Sequence, residues 1–276
     1  MLWLLKYLPQ NYVSTFVGHL MHTRLPGPLR VLSIRIFAGL YKINVDEAEK
    51  PVNAYGSIGD FFIRKLKPGV RPIAAGKILH PADAVINALG AIKQGKILQA
   101  KQKPYSVEKI LGSFIRTTEL ADGFFVTYYL CPTDYHRVHS PVTGKILSAE
   151  HVPGRLWPVY QKSVDTIDEL FGVNERIILT ILTEEGLVSL VFVGAMNVGR
   201  IELAFDAEFY SQVPGLSERR LKKYEQSILV SAGQELGLFR MGSTVVMFYP
   251  KSYHSLVSPA QLQNNLGKAV KYGSSF

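Results

Sequence analysis

From residue 78 onward the chain alternates short apolar runs with turn-forming residues. The runs are 85–89, 124–130, 177–182, 187–193 and 245–249. Their β-branched and aromatic content, with Gly and Pro spaced between them, predicts a mostly antiparallel sheet. Thr183-Glu184-Glu185-Gly186 reads as the hairpin turn between the third and fourth runs. Helical interruptions are expected at 106–111 and 163–170. Ahead of residue 78 the pattern is helical. Pro26-Gly27-Pro28 divides an apolar N-terminal stretch into two helical pieces. Lys50-Pro51 and Tyr55-Gly56-Ser57 form a joint, after which Ser57 caps a short amphipathic helix over 57–66. The predicted class is α+β, with a helical region over 1–55 and a β-rich domain over 56–276.

Charge sharpens the first of these regions. Residues 1–45 contain Lys6, Arg24, Arg30, Arg35 and Lys42 and no acid before Asp46. Basic and aromatic residues without acids are the composition of a helix lying in a membrane interface; a core helix pair with basic ends is the alternative. The whole chain carries 31 Lys and Arg against 22 Asp and Glu, a net charge of +9, which suits an anionic partner. The aromatic residues do not interleave with basic clusters in a nucleic-acid-binding pattern, so a membrane surface is preferred over nucleic acid. With 47% hydrophobic and 19% charged residues the chain is globular rather than disordered. No run of about 18 uncharged apolar residues predicts a transmembrane helix. The short apolar start, ended by Pro9, does not make a signal peptide. One cysteine, Cys131, excludes an internal disulfide and fits a reducing compartment.

Three stretches carry candidate chemistry. Gly242-Ser243-Thr244 opens the run at 245–249. The Ser243 hydroxyl is placed to attack the Gly242 carbonyl, turning the amide into an ester. β-Elimination would then cut the chain, and hydrolysis of the new N-terminal dehydroalanine, with loss of ammonia, would leave a pyruvoyl group, an electrophile that no side chain supplies. Taken alone, Gly-Ser-Thr is also a common turn. Asp134-Tyr135-His136-Arg137-Val138-His139 follows the run at 124–130. In extended chain its two histidines face opposite ways; in a turn they converge as a general acid–base pair or as metal ligands. No His-Glu-x-x-His or Cys-x-x-Cys accompanies them, which argues against metal. In His80-Pro81-Ala82-Asp83, Asp83 either bonds its own turn or orients a histidine. The chain thus supplies Asp83, His139 and Ser243 in order. Two enzyme readings compete: a self-processing pyruvoyl decarboxylase of a soluble amino acid, against which the apolar basic N-terminus argues, and a metal-dependent hydrolase built on Asp83, His136 and His139.

Together with Lys96-Ile97-Leu98-Gln99-Ala100-Lys101, Val152-Pro153-Gly154, Asn174-Glu175-Arg176, Val193-Gly194-Ala195 and Gly233-Gln234-Glu235-Leu236-Gly237-Leu238-Phe239, these stretches resemble the bacterial, membrane-associated, pyruvoyl-dependent phosphatidylserine decarboxylases. The resemblance runs over nearly the whole chain. Departures flank the chemistry: Ala84 for Gly, Met241 for Leu, Ala232 for Lys and Gln102 for Gly.

The resemblance implies self-cleavage between Gly242 and Ser243 by an Asp83–His139–Ser243 triad. A β chain (1–242) and an α chain (243–276) would stay bound to one another, the latter capped by pyruvoyl. It implies decarboxylation of phosphatidylserine to phosphatidylethanolamine through a Schiff base to that pyruvoyl group, with His136 assisting as proton carrier. It further implies a homodimer, peripheral attachment to the cytoplasmic side of the cell membrane, and Lys101, Tyr105 and Arg137 near the lipid head group.

Overall fold

The computed structural model describes residues 17–98, 103–196, 200–213, 215–240 and 243–276. Along the chain come α1 (Gly27–Leu40), α2 (Ile58–Phe62), β1 (Ala84–Ala91), β2 (Lys96–Leu98), β3 (Pro104–Ser106), α3 (Val107–Ile110), β4 (Phe124–Leu130), β5 (Arg137–His139), β6 (Gly144–Val152), α4 (Gln161–Thr166) and α5 (Leu170–Val173). Then follow β7 (Arg176–Thr183), β8 (Gly186–Val193), β9 (Ile201–Leu203), β10 (Arg220–Val230), β11 (Glu235–Phe239), β12 (Ser243–Tyr249), α6 (Pro259–Asn264) and β13 (Ala269–Val270). The class is the α+β one expected.

Eight of the strands form one antiparallel sheet in the order β10-β6-β7-β8-β12-β4-β1-β13, and β5-β11-β9 form a second. β7 and β8 are joined by the two-residue turn Glu184-Glu185, with Thr183 paired to Gly186. β12 lies between β8 and β4 and pairs with both. Its residues Val245, Val246, Met247, Phe248 and Tyr249 are all fully buried. That is why the segment is continuously apolar rather than alternating. β12 begins at Ser243, two residues ahead of its apolar run, because the ladder to β4 starts at the Ser243–Leu130 pair. β10, an edge strand, is mostly exposed through Lys222, Lys223 and Glu225. An edge strand solvated this way carries no apolar alternation for a sequence reading to detect.

At the N-terminal side, α1 starts on Gly27 with Pro28 in its first turn and packs with α2 around a smaller core of Ile34, Ala38, Ile43, Ala48, Tyr55 and Phe61. Ser57 caps α2 by accepting a hydrogen bond from the Asp60 amide, as expected, although the helix ends at Phe62. Ser106 caps α3 in the same manner. No helix among the described residues is long and apolar enough to cross a membrane. Residues 1–16, Lys101, Gln102, Met241 and Gly242 lie outside the described residues.

Asn174-Glu175-Arg176 is a clamp at the end of the main sheet. Asn174 bonds the amide and carbonyl of Trp157 and, through Nδ2, the carbonyl of Gly194 just past β8. Glu175 accepts from buried His151 (2.8 Å) and from the Gln212 amide (2.8 Å). Arg176 is buried with no carboxylate within ion-pair distance among the described residues. Its guanidinium instead donates to the carbonyls of Ile110, Gly172, Asn174 and Lys109, tying α3 and α5 to the sheet. Burial pushes its pKa down to about 10. Replacing Arg176 with Met strands those buried carbonyls, at roughly 1–3 kcal/mol each when unsatisfied. We expect R176M to lose about 3 kcal/mol or more of stability, read as a shift in denaturant midpoint; an unchanged midpoint would contradict the clamp.

Candidate active site

The connection from β11 to β12 is where the chain passes from the small sheet to the large one, and Gly242-Ser243 lies in it. The side before Gly242 is anchored firmly. The Arg240 guanidinium holds Glu202 on β9 through Nε (2.8 Å) and a second nitrogen (3.1 Å), and the Arg240 amide bonds the Arg200 carbonyl. The Phe239 amide bonds the carbonyl of His136, which leads into β5. Ser243 is four residues beyond Phe239, so the chain cannot carry it more than roughly 14 Å from that anchor.

β5 runs beside β11 and delivers the two histidines. The extended alternative is the one adopted, and the two rings meet different neighbours. His136 is fully buried with its ring 4.0 Å from the Phe62 ring of α2. Its Nδ1 bonds the Asp134 carbonyl at 2.9 Å. A carbonyl only accepts, so the proton sits on Nδ1 and Nε2 carries a lone pair. That Nε2 has no hydrogen-bond partner among the described residues. Burial, with the nearby Arg64 charge adding to it, pushes the pKa down to about 3, against the Asp134 carbonyl bond and Asp83, which raise it. The ring is neutral at any ordinary pH.

His139 Nδ1 bonds the Gly233 carbonyl at 2.8 Å, again leaving the lone pair on Nε2, which the Tyr135 hydroxyl approaches at 3.4 Å. Gly233 has φ +82, a left-handed conformation that suits glycine and aims this carbonyl. The His139 ring is stacked on Tyr272 at 3.8 Å and 7°. Burial lowers its pKa, while the Gly233 carbonyl, Glu235 and Asp83 oppose the shift.

Asp83 follows the turn whose Pro81 carbonyl accepts the His139 amide, so the two residues are drawn to one place. They are not joined by a hydrogen bond: the Gly233 carbonyl, not Asp83, occupies His139 Nδ1. The carboxylate is buried, 1% exposed, and saturated. Arg71 donates to both oxygens (2.7–3.2 Å), Lys271 to Oδ2 (3.0 Å) and the Tyr272 amide to Oδ1 (3.0 Å). Arg71 also reaches Glu47 at 2.8 Å. Tyr272 therefore touches both members of the pair, its amide on Asp83 and its ring on His139.

Other expected residues fall elsewhere. Arg137 bonds the Ile63 carbonyl and Glu235. Tyr105 is buried against Phe171 in the main core, which pushes its hydroxyl up to about 12. His80 is buried on the Tyr128 hydroxyl (3.1 Å), its pKa lowered to about 4 by burial. Among the described residues no group of three His, Cys, Asp or Glu is placed to hold a metal ion. Arg71, Lys271, Tyr272, Arg240 and Glu202 are site residues that the sequence reading did not single out. Arg71 and Lys271 look like solvated charges in sequence, and Tyr272 sits in a short polar tail.

The comparisons with known proteins show the family. The family model described as phosphatidylserine decarboxylase matches residues 58–276. A phosphatidylserine decarboxylase proenzyme of Anaeromyxobacter sp. (strain K) is 40% identical over 248 residues, covering 89% of this chain and 87% of the relative. Proenzymes of the same name from Coxiella burnetii and Vibrio cholerae are each 38% identical, over 90% and 89% of this chain and 88% of either relative.

Replacing Tyr272 with Ala should admit water to His139 and raise its pKa toward the ordinary histidine value, because burial is the main cause of its depression. Tyr272→Phe, which keeps the ring, should leave it depressed. Histidine titration by NMR checks both; equal titration in the three proteins would remove Tyr272 from the site.

Proposed function

The chain belongs to the phosphatidylserine decarboxylase family and is a decarboxylase; on that premise we propose that it matures by cutting itself between Gly242 and Ser243 and then converts phosphatidylserine to phosphatidylethanolamine. The observation that supports this is that β11, which leads toward Gly242 and Ser243 in sequence, pairs with β5, where His139 and the preceding His136 are buried with their Nε2 lone pairs unprotonated. In this reading His139 Nε2 takes the Ser243 hydroxyl proton, and the Gly233 carbonyl keeps the tautomer that makes this possible. The buried Asp83 charge favours the imidazolium that forms, acting through space rather than by a direct bond.

The residues fit a pyruvoyl group derived from Ser243. Thr244 Oγ1, next to Ser243 on β12, and His136 Nε2 are both buried without hydrogen-bond partners among the described residues, as polar groups kept for a ligand would be. Such a ketone supplies an electron sink for loss of the substrate carboxylate, which side chains lack. His136 offers Nε2 as acceptor and proton carrier in a dry pocket walled by Phe62.

The small chain, 243–276, stays bound in this reading because it contributes β12 at the centre of the main sheet and β13 at its edge. Membrane attachment is supported by α1. Leu29, Leu32, Ile36 and Leu40, at spacings of three and four, are all more than half exposed. Arg30 and Arg35 on the same helix suit an anionic surface. Peripheral attachment on the cytoplasmic side fits the free Cys131.

Ser243→Ala should remain one chain and release no carbon dioxide from phosphatidylserine. His136→Ala should still cut itself but lose decarboxylation by about 100-fold or more. Ser243→Ala protein that decarboxylates at the wild-type rate would overturn the proposal.

A further inference from the structure

Arg64 is a buried cation with no carboxylate in direct contact among the described residues: Glu47 and Asp83 act on it only at longer range, and its guanidinium lies 5.3 Å from the Phe61 ring. Only 4% exposed, it donates one long bond (3.4 Å) to the Phe62 carbonyl, and its Nε has no partner among the described residues. No carboxylate of the described residues lies within ion-pair distance of it. The comparison with neighbouring cations is direct: Arg71 is matched by Glu47 and Asp83, Lys271 by Asp83, and Arg137 by Glu235. A buried unpaired guanidinium is costly, and it keeps its charge because its pKa starts so high. Such a group is retained where an anion comes to it.

The space for an anion is present. Arg64 lines a cavity of about 230 Å³ with Lys42, Arg71, Lys271 and Tyr135 and with the acids Glu47, Asp83 and Asp134; Arg71 and Lys271 are taken up by Asp83 and Glu47, whereas Arg64 and Lys42 have no carboxylate in contact among the described residues. Asp134 and Tyr135 form the turn that delivers His136, and the Phe62 ring on His136 belongs to the residue whose carbonyl Arg64 holds. On its other side the cavity is bounded by Lys42, Asn44 and Glu47, just past the end of α1. A lipid resting on the exposed leucines of α1 would present its head group here.

We propose that Arg64 binds the phosphodiester of the lipid head group and thereby sets the reacting end of the substrate toward His136. This rests on the reading of the chain as a phosphatidylserine decarboxylase. The head group also carries a carboxylate, but a guanidinium clamped on it would stabilise the ground state and oppose loss of carbon dioxide. The phosphodiester keeps the same charge throughout the reaction, so its capture is uniform binding, which lowers KM without changing kcat.

The test compares wild type, Arg64→Gln and Arg64→Lys, using a short-chain phosphatidylserine. Intact mass should show all three fully cut, since cleavage precedes substrate binding. Arg64→Gln should raise KM on the order of 10- to 100-fold with kcat within about threefold, and Arg64→Lys should recover part of the loss. sn-Glycerol 3-phosphate, which has no amine to react with a ketone, should inhibit wild type competitively and the Gln variant at least about tenfold more weakly. Inorganic phosphate inhibiting as well as glycerol 3-phosphate would assign the site to free phosphate and overturn the head-group role. A fully cut Arg64→Gln enzyme with unchanged KM and unchanged inhibition would overturn the inference alone. An Arg64→Gln chain that stays uncut would show a structural role and overturn it too. Wild type that neither cuts itself nor decarboxylates would overturn the reading beneath it.

Discussion

One buried carboxylate ties together parts of the chain that are far apart in sequence. Asp83 draws Arg71 from the segment after α2 and Lys271 and the Tyr272 amide from the C-terminal tail, and Arg71 extends the network to Glu47. A carboxylate removed from water stays ionised at modest cost only when its lone pairs are filled in this way, and removal of one partner leaves the rest poorly compensated. The network therefore fixes the position of the tail, and with the tail the Tyr272 ring on which His139 lies. His139 in turn is held at its other side by Gly233 and through its amide by Pro81. Backbone bonds among Ala74, His80, Gly273 and Ser274 also join the tail to the turn ahead of β1, and the Asp83 cluster adds the link from both to Glu47 beyond α1.

That arrangement has a bearing on a chain cut at 242. Everything from Ser243 to Phe276 would then be a separate piece, yet it would own a central strand of the main sheet, two of the donors to Asp83 (Lys271 and the Tyr272 amide, with Arg71 staying on the large piece) and the ring that stacks on His139. The small piece is thus bound by burial at its start and by charge near its end. A reactive group at the head of β12 would be framed by residues of both pieces, with His136 and Arg64 coming from the large one.

The strands at 124–130, 177–182, 187–193 and 245–249 were legible because a strand buried on both faces is continuously apolar, and the hairpin at Glu184-Glu185 because its flanks are such strands. β10 was not legible, since an edge strand bearing Lys222, Lys223 and Glu225 has the composition of a loop. Asp83, His136 and His139 were legible as chemistry-bearing residues in short turns. Their partners were not. Gly233 acts through a backbone carbonyl, the Tyr272 amide is a backbone donor, and Arg71 and Lys271 differ from solvated cations only in what the fold brings against them. The expectation that Asp83 orients His139 rests on residue types; in the fold the Gly233 carbonyl takes the ring nitrogen, and Asp83 meets His139 only through Tyr272, whose amide it holds and whose ring stacks on the imidazole.

The account stands most directly on the covalent state of the purified protein, read by mass spectrometry under denaturing and native conditions. It predicts two species when denatured, residues 1–242 and residues 243–276 with a blocked pyruvoyl N-terminus, and a single complex containing both when native. A folded, active protein made of one unbroken 276-residue chain would contradict it.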